Sequence, residues 1–119
     1  MTGPEIALRI DLNGNIRELD IGTARSQQIR VIGRALLDSI QAVDFIRQPT
    51  DPDIVVLARV HRDQQAPNLH AARAVHELAA PLPHLIQGEV VFAGYTAAGD
   101  LTGLPEGAAD TIRAACQSL

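Results

Sequence analysis

Four histidines, His61, His70, His76 and His84, and the single cysteine Cys116 are among the side chains of this 119-residue chain suited to ligate a metal, carry a proton or act as a nucleophile. Two metal ligands on one helical face need an i, i+4 spacing, and the histidines stand nine, six and eight residues apart, with Cys116 far downstream. The spacing predicts no metal site, and His76 and His84 read as surface or partly buried polar residues around the end of a helix. His61-Arg62-Asp63 spells the opening of a kinase catalytic loop, but the chain lacks the Gly-rich loop, the strand lysine, the Asp-Phe-Gly segment and the length for two lobes. Gly88 and Gly94, like Gly99 and Gly103, lack the spacing of a dinucleotide or P-loop fingerprint. No serine stands in a nucleophile elbow, and Cys116 reads as a buried, inert thiol of a terminal helix. No catalytic residue and no cofactor are expected.

One constellation supports a sharper expectation. If the apolar runs at 54–60 and 89–94 are parallel strands joined by a helical crossover, the loops after both emerge at one end of the sheet. That arrangement brings His61, Arg62, Asp63, Asn68 and His70 near Tyr95, Thr96 and Asp100. A helix amino terminus with Arg62 beside it holds an anion, and His61 or His70 carries a proton. The competing reading makes them ordinary solvated loop and capping residues, with Asn68 satisfying backbone donors.

The elements that must position these residues follow from periodicity. Ile6, Leu8, Ile10 and Leu12 alternate with polar or small residues, the pattern of a strand with one buried face. Asn13-Gly14-Asn15 then turns the chain into Ile16–Ile21, so a hairpin is expected, with Ile16 out of phase and a bulge or shifted turn to accommodate it. Thr23 or Ser26 caps a helix carrying Ile29, Ile32, Leu36 and Ile40, in which Gly33 marks close packing against the sheet. Val43–Arg47 reads as a short strand, Gln48–Pro52 as a reversal, and Ile54–Val60 as a strand covered on both faces. Asn68 caps a helix to about Ala80, ended by Pro81-Leu82-Pro83. Gly88–Gly94 is another strand, and a last helix starts at Pro105. The order ββαββαβα predicts an α+β class, a mixed sheet packed with two or three helices in two or three layers.

Length fits one domain spanning 1–119. Apolar residues at 46% and charged residues at 20% match a chain that folds without a partner. A net charge of −4 and only three aromatic side chains argue against nucleic acid as a main partner, since phosphate binding needs clustered positive charge and single strands need stacking platforms. One cysteine excludes an intramolecular disulfide, and no basic-then-apolar leader or long apolar window is present. A cytoplasmic protein without a membrane span is expected.

Asp11–Ile16, Asn68–Ala72 and Gln87–Gly94 together resemble a domain-of-unknown-function family found in phage, plasmid and host-integrated element proteins. The likeness lies in a similar opening hairpin, a Pro-Leu-Asn-like helix start matched in changed order by Pro67-Asn68-Leu69, and a Gly-acidic-Val-Val strand ending in Gly. It implies an accessory protein of a mobile element and carries over no catalytic residues. The expected function is therefore a non-enzymatic binding or regulatory module acting through protein contacts. The alternative is a small enzyme or anion-binding domain using the loops at 61–70 and 94–100. A homodimer is also expected, with the first strand as a free edge.

Overall fold

In the computed structural model, which describes residues 5–78 and 86–117, the chain runs β1 (Ile6–Ile10), β2 (Ile16–Asp20), α1 (Arg25–Leu36), β3 (Ile40–Ile46), β4 (Asp53–Arg59), α2 (Leu69–Glu77), β5 (Val90–Tyr95), β6 (Leu101–Thr102) and α3 (Glu106–Gln117). The α+β class and the order of elements are as expected, with the two-residue β6 added after β5. The five long strands lie in the order β2-β1-β5-β4-β3, with β6 beside β5. Every recorded pairing is antiparallel.

Both faces of the sheet are covered, which explains the strand patterns. On one face α1 packs Ile32 and Leu36 against Ala7, Leu19, Val55, Leu57, Val91 and Ala93. On the other, α2 and α3 bury Ala71, Val75, Ile112 and Ala115 against Leu8, Ile10, Ile54, Val56 and Phe92. Removing a side chain the size of Phe92 from water contributes about 1.5–3 kcal/mol, so the two apolar layers supply the driving force for a chain this poor in aromatics.

Two expectations about the amino-terminal hairpin are corrected by this layering. β1 lies between β2 and β5 and buries Ala7 as well as Leu8 and Ile10, so it has two covered faces and is no edge. Ile16 sits opposite Ile10 in an unbroken register, so β2 has no bulge. Its side chain packs with the α2–α3 core while Leu19 packs with the α1 core. An out-of-phase apolar residue is what a strand between two cores requires. The register shift occurs instead in β3, between Ala42 and Asp44.

The first helix is shorter than its apolar spacing suggests. α1 stops at Leu36, Leu37 adopts the left-handed region at φ 57°, and Ile40 already belongs to β3. The backbone N–H groups of Leu37 and Asp38 both bond to the Gly33 carbonyl. A Cβ at Gly33 meets the Asp38 carbonyl at 3.4 Å, so this glycine accommodates the helix's own closing turn and not the sheet. The N-cap is Ala24, with no side-chain cap from Thr23 or Ser26. α2 is described to Glu77, and the expected helix end near Ala80, the Pro81-Leu82-Pro83 stop and His84 lie outside the described residues.

Candidate functional site

β4 and β5 are antiparallel, with Asp53 opposite Tyr95 and Ala58 opposite Val90. The parallel pairing needed to gather the two loops is thereby overturned. His61, Arg62, Asn68 and His70 lie at the end of the sheet where β4 finishes. Tyr95 and Thr96 lie at the end where it starts, about 20 Å away along six strand residues. The chain leaves the sheet at Pro67 and returns beside it at Gln87, where the two residues form a bridge flanked by Asn68 N–H to Ile86 O and Gly88 N–H to Ala66 O. The α2 segment is therefore an excursion that starts and finishes at one end, which forces β5 to run against β4.

At that end the predicted residues divide into two groups. The Nδ1 of His61 lies 3.2 Å from both Asp38 carboxylate oxygens, while its backbone N–H donates to Oδ2 at 3.0 Å. The backbone N–H and then the imidazole of His61, aided by the Ser39 N–H, hold the Asp38 carboxyl below the usual carboxylate range against a smaller desolvation effect. Arg62 donates through Nη1 to the Gln41 Oε1 and the Arg59 carbonyl, both at 3.0 Å, so it fastens its loop to the edge strand. Behind it, Glu89 pairs with both Arg59 and Arg9.

Asn68 and His70 face the β1–β2 turn instead. Asn68 is buried: its Oδ1 accepts from the Ala71 N–H, and its Nδ2 donates to the carbonyls of Ile10 and Gly88. An Asn at an N-cap supplies the acceptor that a bound anion otherwise provides, so the α2 amino terminus is internally satisfied. The His70 ring lies over Gly14, where a Cβ would come within 2.6 Å of Nδ1; that buried nitrogen has no hydrogen-bond partner among the described residues. In the same turn burial raises the Asp11 carboxyl, but N–H groups of Asn15 and Asn13 outweigh it and hold the group low.

At the opposite end, Thr96 closes a turn. Its N–H donates to the Asp100 carbonyl and its Oγ1 accepts from the Asp100 N–H. Tyr95 turns its ring edge-on to Phe45, with centroids 5.2 Å apart. Cys116 is buried, and burial followed by the nearby Asp11 charge pushes its thiol pKa up. Among the described residues no three of His, Cys, Asp and Glu cluster as a metal requires.

A different feature emerges beside α1. Since α1 alone covers its face of the sheet, a groove of about 400 Å³ opens between the helix and the β3 side, reaching from Ser39 and Ile40 to Tyr95, Asp100 and Leu101. Two exposed apolar side chains stand near it, Ile29 at 47% and Phe45 at 56% exposure. Reading Ile29 as part of the buried stripe missed this groove. The residues that α1 buries are Gln28, Ile32 and Leu36, at strict four-residue spacing. A polar residue takes a place in this buried stripe because its Nε2 is satisfied at 2.9 Å by each of two carbonyls, Gly22 and Leu101. The only sequence signal was that Gln28 completes a tighter helical stripe than Ile29. Comparison with known protein families, curated proteins and solved structures yields no match.

Proposed function

We propose that this chain is a non-enzymatic binding module acting through protein contacts, with the face formed by α1 and β3 as its contact surface. The observation that carries this reading is the exposure of Ile29 and Phe45 on the face that a single helix covers. A contiguous exposed apolar surface is the usual mark of a partner site, and here Ile29 lines the groove that reaches Tyr95, on whose ring Phe45 packs. Neither sheet edge invites a partner strand. β2 exposes Arg17, Glu18 and Asp20, and in β3 the Asp44 carboxylate accepts the Phe45 N–H next to a register shift. Charges and bulges of this kind blunt an edge against strand addition, so contact is made through the face. Homodimerisation uses this face also, since β1 is interior and offers no free edge. The motif likeness to mobile-element accessory proteins points in the same direction. No helix among the described residues is long and apolar enough to cross a membrane.

The test is comparative capture. Immobilised wild-type protein and a Phe45→Glu variant of equal melting temperature are exposed to the same lysate, and retained proteins are identified by mass spectrometry. A partner held by the wild type and lost by the variant supports the reading. Identical retained sets overturn it.

A further inference from the structure

We infer that the groove beside α1 is a binding site for a small zwitterion with an apolar tail, the class represented by free α-amino acids with aliphatic or aromatic side chains. This goes beyond the protein-contact reading and does not rest on it.

Three features of the groove define the class. First, α1 begins at the groove with no side-chain cap and no acidic residue in its first turn, and Arg25 at that position lines the groove. Arg25 takes part in no ion pair among the described residues. Uncapped N–H groups and a guanidinium at the positive end of a helix dipole suit a carboxylate. Second, Gln28 lines the same groove at only 3% exposure. Both its amide hydrogens go to the carbonyls of Gly22 and Leu101, which fixes the amide against flipping. Among the described residues its Oε1 is left as a rigid acceptor with no protein donor, and the Asp100 carboxylate, likewise without a partner there, lines the groove too. A fixed acceptor on an otherwise buried side chain, beside a carboxylate, suits an ammonium group. Third, Ile29, Ile40 and Leu101 supply apolar walls for the tail. The volume of about 400 Å³ lies within the range of small-molecule sites.

The experiment is calorimetric and NMR titration of the full chain with L-leucine and L-phenylalanine, beside N-acetyl-L-leucine, which lacks the ammonium, and L-leucinamide, which lacks the carboxylate. The expected result is binding of a free amino acid, weakened roughly tenfold or more by blocking either end. Arg25→Ala and Asp100→Asn, at unchanged melting temperature, produce similar losses. Absence of binding up to about 10 mM overturns the inference, that concentration lying well above a millimolar dissociation constant. Equal binding of N-acetyl-L-leucine overturns it as well, and equal binding of L-leucinamide assigns the groove to a chain amino terminus instead. Phe45-dependent capture of a protein is read separately, so either proposal can fail while the other stands.

Discussion

Asp53 and Tyr95 face each other across the antiparallel β4–β5 ladder, and that pairing places Arg62 and Tyr95 at opposite ends of the sheet. Residues this far apart with no common partner contribute independently to stability. Arg62→Ala and Tyr95→Phe should therefore be additive within about 0.5 kcal/mol in a double-mutant cycle followed by urea denaturation. A coupling above about 1 kcal/mol would contradict the placement of the two loops.

Asn68 does more than cap. Its amide reaches the carbonyl of Ile10, 58 residues away in sequence, as well as that of Gly88. Asn68→Ala is expected to cost about 2–3 kcal/mol, more than the ~1 kcal/mol of a simple cap, because two buried donors vanish with the acceptor. Asn68→Ser, which restores an acceptor but not the donors, should recover about 1 kcal/mol of that loss. Equal stability of the Ser variant and the wild type would show that the two carbonyl contacts contribute nothing.

The Asp38–His61 contact makes a pH-dependent contribution whose sign is set by the lowered Asp38 pKa. A carboxyl held low in the folded state stabilises above its unfolded-state pKa, and that stabilisation is lost as pH falls through the lower folded-state value. Asp38→Asn should thus be less stable than wild type at neutral pH, with the gap closing as pH drops below about 4. Chemical denaturation midpoints across this range provide the check. A gap that stays constant down to pH 2 would refute the assignment.

Leu37 holds the left-handed conformation at the end of α1 with its side chain 82% exposed. A side chain there meets the strain that glycine escapes and gains little burial in return. Leu37→Gly should raise stability by about 1 kcal/mol, measured by thermal unfolding. A destabilised variant would mean that Leu37 packs against something in solution.

Much of the local structure was legible in the sequence. The alternation from Ile6 to Leu12, the Asn13-Gly14-Asn15 turn, the cap at Asn68 and the apolar run at Ile54–Val60 are encoded by neighbouring residues, since strand period, left-handed turns and caps depend on short-range backbone chemistry. The class and the order of elements follow from them. Three decisions belonged to the tertiary structure. The direction of β5 against β4 depends on the return of the chain beside Pro67, and a strand buried on both faces carries no periodic mark of its direction. Ile40 passed from helix to strand because it pairs with Arg59 of β4, although its spacing from Leu36 fits a helix. Gln28 took the inward position in place of Ile29 because its amide is satisfied by the Gly22 carbonyl and by that of Leu101, 73 residues away. Each of these rests on contacts between residues far apart in sequence, and the loop cluster and the groove changed places as a result.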